Sequence, residues 1–164
     1  MGFTTKSVAD NSGTSVSVTM TIKMLREARF LIVSEDDSIR KHLSRFLSEA
    51  GFVSKSVNKM TEGCRAARSG RFQVVFTTPL LSDGSWRRLV EIATHCDLGF
   101  VVIVVATTFD LKEWAEALEV GAFDVLDAVY ELPKAAEIAR RALWAAYLKG
   151  AGPYPRPTSR AMAA

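Results

Sequence analysis

Phe72-Gln73-Val74-Val75-Phe76-Thr77-Thr78-Pro79-Leu80-Leu81-Ser82-Asp83-Gly84 decides the fold of this chain. It begins as a short, almost continuously apolar run, the pattern of a strand buried on both faces of a parallel sheet. The run then breaks into hydroxyls, a proline and an Asp-Gly turn, and Trp86 opens a helical pattern. In an open α/β sheet the C-terminal ends of such strands are where ligands and chemistry collect. The chemistry available to Thr77 and Thr78 is therefore the first question.

Composition narrows the classes. The chain has 164 residues, 48% hydrophobic and 24% charged, ordinary values for a globular protein with one core. A formal net charge of +3, without a basic stripe interleaved with aromatics, gives no support for nucleic acid binding. Cys64 and Cys96 form no C-x-x-C pair, and His42 and His95 stand alone, so a zinc site or redox dithiol is not indicated. Two reduced cysteines, no bilayer-length apolar run and no signal-peptide pattern make the cytoplasm the expected location.

Outward from the opening stretch, strands and helices alternate. Upstream, residues 30–33 predict a buried strand and residues 34–38 a polar helix start, followed by Ile39, Leu43, Phe46, Leu47 and Ala50 on one helix face up to Gly51. A second strand is expected over 52–57 and a short helix over 60–68. Downstream come a helix from Trp86 to about Cys96, a strongly apolar strand over 100–105, a helix over 110–120 and a strand over 123–126. A last helix opens at Leu132-Pro133 and runs to about Leu148. The spacing of Trp114, Ala117 and Leu118 predicts that all three face the core, with a surface recognition role for Trp114 as the alternative. Five strands alternating with five helices predict a doubly wound parallel sheet of flavodoxin-like order 2-1-3-4-5. Residues 28–149 form this domain. Residues 1–27 are read as a tail or, from the alternation of Val16, Val18, Met20, Ile22 and Met24, an extra strand; residues 150–164 are a Pro-containing tail.

These residues carry a family resemblance. Residues 29–40, the Asp83-Gly84 turn, the helix end over 116–122 and the strand Asp124-Val125-Leu126 resemble a bacterial response-regulator receiver domain, over about residues 28–148. The resemblance implies a two-component signalling module of the phosphorelay type. In that family an acidic pair after the first strand holds Mg²⁺, and an aspartate ending the third strand takes the phosphoryl group. A hydroxyl after the fourth strand and a lysine after the fifth bind the phosphate, and an aromatic on the fifth strand acts as the switch.

Carried over by position, each of these roles falls on an unsuitable residue except one. The acidic pair falls on Ser34 and Glu35, with Asp36 next, and the acceptor on Thr78. The phosphate-binding hydroxyl falls on Ala106, with Thr107 one place later, the lysine on Ala128 and the switch on Val125. A threonine cannot form an acyl phosphate, and an unactivated hydroxyl needs a general base within reach. The chain reads as a degenerate form, a pseudo-receiver, in which Glu35 and Asp36 hold at best a weak, residual Mg²⁺; helix capping is the simpler role for Asp36. No other cofactor is expected.

The expectation is thus a non-enzymatic, phosphorylation-independent signalling module acting through protein–protein contact. The resemblance places its partner or homodimer surface on the face of the fourth helix, fifth strand and fifth helix, with Trp114, Tyr130, Trp144 and Tyr147 as candidate contacts. Neither nucleic acid nor membrane is an expected partner. The alternative function is a small-ligand sensor at hydroxyl-lined strand ends built from Ser34, Thr77, Thr78, Thr107 and Thr108. An enzyme on the same fold would need a phosphate loop, a nucleophile–His pair or a metal cluster, and the sequence offers none.

Overall fold

Every residue of the apolar run from Val74 to Thr77 is buried, and this run forms the central strand of the sheet. A computed structural model describes residues 25–108 and 110–150. Its parallel strands are β1 (Arg29–Val33), β2 (Val53–Val57), β3 (Val74–Thr77), β4 (Val101–Ala106) and β5 (Asp124–Asp127), in the spatial order β2-β1-β3-β4-β5. The helices between and after them are α1 (Asp37–Glu49), α2 (Met60–Arg68), α3 (Arg87–His95), α4 (Leu111–Val120) and α5 (Ala135–Leu148), the last entered through a 3-10 turn at Leu132–Lys134. This is the predicted doubly wound α/β architecture. One element was not foreseen: Leu80–Leu81 and Gly84–Ser85 pair as a small antiparallel ribbon beyond β3.

Strand periodicity splits the core into two layers. Phe30, Ile32, Val74, Phe76, Ile103 and Leu126 pack under α1 and α5, against Leu43, Leu47, Ile138 and Leu143. Alternate residues Leu31, Val33, Val75, Val102 and Val104 meet α2, α3 and α4 through Met60, Cys64, Leu89, Ile92 and Ala117. A sheet sealed on both faces needs the unbroken apolar runs seen in β1, β3 and β4. Full burial of each large side chain contributes about 1.5–3 kcal/mol. Burial also raises the pKa of the Cys64 thiol above its ordinary value, as expected of a packing cysteine, whereas Cys96 is exposed.

Local sequence sets the helix ends. Asp36 caps α1 by accepting from Ile39 N at 3.1 Å, and Asp110 caps α4 by accepting from Glu113 N at 2.8 Å. Gly51 and Gly121 follow α1 and α4 with positive φ, where a side chain would be strained. The alanines of α5 are core residues: Ala135, Ala139, Ala142 and Ala146 are fully buried against the sheet.

Two expectations need correction. Trp114 does not face the core with Ala117: it is 41% exposed, and of the helix only Ala117 is buried. Ala117 is buried and Leu118 partly buried, while the rest of the helix, the indole included, lies at the surface. Residues 25–27, assigned to the tail, are helical, and Leu25 packs against the core. The alternation from Val16 to Met24 and the tail over 151–164 lie outside the described residues. No helix among the described residues is long and apolar enough to cross a membrane.

Candidate functional site

Parallel pairing brings the predicted positions to one edge of the sheet. Val33, Thr77, Val104 and Val125 share a register across β1, β3, β4 and β5, so Ser34 and Thr78 emerge side by side just beyond it. Ala106 pairs with Asp127, and Ala128 N donates to Ala106 O at 2.9 Å, which sets Ala106 and Ala128 at the same edge.

At the centre of this edge two hydroxyls meet. Thr78 Oγ1 donates to Ser34 Oγ at 3.3 Å, and Ser34 Oγ also accepts from Asp36 N at 3.1 Å. Arg40 Nη1 reaches back over the loop to Ser34 O at 2.6 Å. Thr77 is buried and turns its hydroxyl onto Thr78 O at 2.9 Å. Thr107 and Thr108 are exposed beyond β4 and do not join this cluster. These bonds satisfy polar groups in a crowded loop. They provide no carboxylate at the end of β3.

The carboxylates nearby are committed elsewhere. Glu35 Oε1 accepts from Ser82 N at 2.6 Å and lies 3.9 Å from Lys59 Nζ, while Lys59 Nζ donates to Ser82 Oγ at 3.2 Å. Hydrogen bonds from Ser82 lower the pKa of Glu35 below the ordinary carboxylate range, and the Lys59 charge assists. Asp36 is the α1 cap. Asp37 is paired with Lys41 at 2.9 Å and Arg40 at 2.7 Å, which lowers its pKa in that order of importance.

Asp83 has the strongest anchorage. Its Oδ1 accepts from Met60 N at 2.7 Å and its Oδ2 from Thr61 N at 2.8 Å. Lys59, the residue preceding α2, makes no side-chain cap. Asp83 therefore caps α2 from another loop, and these backbone bonds pull its pKa down to about 2. Sequence reading placed Asp83 in a turn near this edge and did not foresee the cap. Lys59, Ser82 and Arg40 were missed altogether, because nothing in the local pattern links them to Glu35 and Ser34.

Would this edge hold the divalent cation of the receiver reaction? A hard cation needs several free oxygen ligands with enough negative charge. Here Ser34 and Thr78 supply neutral hydroxyls, and Glu35 is clamped between a backbone amide and an ammonium. Among the described residues no group of three His, Cys, Asp or Glu side chains is arranged to hold a metal. The residues present do not fit Mg²⁺.

The candidate contact residues divide by exposure. Tyr130 is 81% exposed, and Trp144 and Trp114 are about half exposed, whereas Tyr147 packs partly against the core. Between α4 and β5 lies a cavity of about 300 Å³ lined by Ala106, Asp110, Leu111, Trp114, Val125, Leu126, Asp127 and Glu131.

Comparison with known proteins agrees with the fold. No family model matches the chain. The transcriptional regulatory protein CusR of Escherichia coli (strain K12) is 24% identical over 98 residues, 60% of this chain. The matched region covers 43% of CusR. A CheY-like response regulator receiver domain from Methanospirillum hungatei superposes with a TM-score of 0.65 at 21% identity, covering 75% of this chain and 98% of that one. The beryllofluoride-activated NtrC4 receiver domain dimer gives a TM-score of 0.65 at 20% identity, covering 72% and 98%. The fold of this chain is that of the response-regulator receiver domain.

Proposed function

We propose that the chain is a pseudo-receiver: a non-enzymatic, cytoplasmic two-component signalling module that acts by protein–protein contact without being phosphorylated. The observation that carries this reading is the Thr78–Ser34 hydroxyl pair at the end of β3. An acyl phosphate needs a carboxylate there, and the transferring phosphoryl needs a metal and a cation around it. This edge has Thr78 for the carboxylate, Ala128 for the cation, and a Glu35 already held by Ser82 and Lys59. Loss of three parts of one reaction, with the fold kept, supports a role that depends on the surface alone.

The contact surface in this reading is the face of α4, β5 and α5. Trp114, Leu111 and Tyr130 expose apolar area there, beside the cavity at Val125. NtrC4 forms a receiver dimer, and a homodimer or a heterologous protein partner through this face is the corresponding arrangement for this chain. A small-ligand sensor at the strand ends has less support, since Ser34, Thr77 and Thr78 bond to one another and to backbone. Incubation with acetyl phosphate and Mg²⁺, followed by intact-mass spectrometry, is the test. The expected result is no added phosphoryl group; a hydroxylamine-labile gain of one phosphoryl mass would overturn the proposal.

A further inference from the structure

The second surface of interest lies at the opposite margin of the sheet from the α4–β5 cavity. Among the described residues β2 is an edge strand, paired only with β1. Val57 O accepts from Ser34 N, so the backbone of Val57 points inward to β1. In a strand the N–H and C=O of alternate residues point to opposite sides, so those of Ser54 and Ser56 point outward. Beside this edge, between β2 and α2, runs a groove of about 990 Å³.

The groove is cationic. Arg29, Lys55, Arg65 and Arg71 line it, against Glu62 as its single acid. Seven ion pairs are formed among the described residues, and none of them involves these four cations. Half-exposed Val53 adds an apolar contact at one end. Unpaired strand backbone, a lengthwise groove and uncompensated positive charge together describe a site for an added strand.

We infer that the outer edge of β2 docks an extended acidic segment of a partner protein, which adds to the sheet as a sixth strand with its carboxylates facing Lys55, Arg65 and Arg71. A nucleic acid fits less well, because it has no amide and carbonyl ladder to meet Ser54 and Ser56, and Phe72, the aromatic in the groove, is buried. This surface lies at the sheet margin opposite the α4–β5–α5 face.

The experiment titrates the full chain with a synthetic peptide of about ten residues alternating glutamate and valine, long enough to pair along β2. Amide hydrogen exchange is read by NMR. The expected result is binding with exchange of the Ser54 and Ser56 amides slowed about tenfold or more, and weakening as salt is raised. Lys55→Glu with Arg65→Glu, both at exposed positions, should weaken binding at least about tenfold. Ser54→Pro removes an outward donor that no strand pairing among the described residues uses, and should weaken binding while leaving unfolding cooperative. A peptide that binds without protecting these amides would overturn the inference. So would equal binding of single-stranded DNA, which would make the groove a general polyanion site. No binding of either probe would leave the cations as guards of a bare strand edge, and would also overturn it.

Discussion

The Asp83 carboxylate accepts from the backbone N–H of Met60 at 2.7 Å, joining the turn after β3 to the start of α2. Its second oxygen takes Thr61 N, so one side chain satisfies two amide groups that open a helix whose own preceding residue, Lys59, cannot cap it. The same turn holds Ser82 against Glu35. One short loop thus ties the ends of β1 and β3 to α2, and it occupies Glu35, the one acid that falls on the family's acidic pair.

Removing this cap should destabilise the protein in a pH-dependent way. The folded-state pKa of Asp83 is about 2, below its ordinary value of 3.8, so the carboxylate's stabilising bonds are fully present above the latter. They are lost as pH falls through the folded value. Asp83→Ala should therefore melt below the wild type at neutral pH, and the gap should close as pH falls from about 4 towards 2. Thermal unfolding followed by circular dichroism across that range checks the prediction; a gap independent of pH would refute the capping role.

Restoring acids to the strand ends should create a metal response that the wild type lacks. Ser34→Asp together with Thr78→Asp would place two carboxylates where two hydroxyls now touch, next to Glu35. Like charges at such a distance repel, so the double variant should melt below the wild type in chelator. Mg²⁺ on the order of millimolar should recover much of that loss, by supplying the positive charge the site requires. The wild-type melting temperature should not change with Mg²⁺. A wild-type shift as large as that of the variant would show that the natural edge binds the ion.

Core and surface positions on the α4–β5 side should separate cleanly. Leu126 is fully buried, and Leu126→Ala should cost roughly 2–5 kcal/mol in urea unfolding. Trp114→Ala, at a half-exposed position, should change stability by less than about 1 kcal/mol. If the α4–β5–α5 face is the contact surface, the same change should nonetheless reduce self-association or partner capture, measured by sedimentation. Loss of stability without loss of association would make Trp114 a packing residue.

Much of this was legible in the sequence. Continuous apolar runs at β1, β3 and β4 announced a parallel sheet sealed on both sides, and Asp36 and Asp110 announced helix starts. The positions of Ser34, Thr78, Ala106 and Ala128 were those that the family resemblance implied when carried over along the chain. Trp114 was misplaced because apolar spacing shows which side chains could share a helix face, while packing decides how much of that face is covered.

Residue order alone determined the five alternating strand–helix units and placed the strand ends to within about one residue, since periodicity and capping are local, but not the ribbon after β3. Only the tertiary structure decided what those strand ends do. Asp83 on Met60, Ser82 on Glu35 and Thr78 on Ser34 are bonds between segments far apart in the chain, and a carboxylate's partners depend on which loops the fold brings within about 3 Å. The edge position of β2 among the described residues belongs to the same class, because a strand's place in the sheet is fixed by its neighbours.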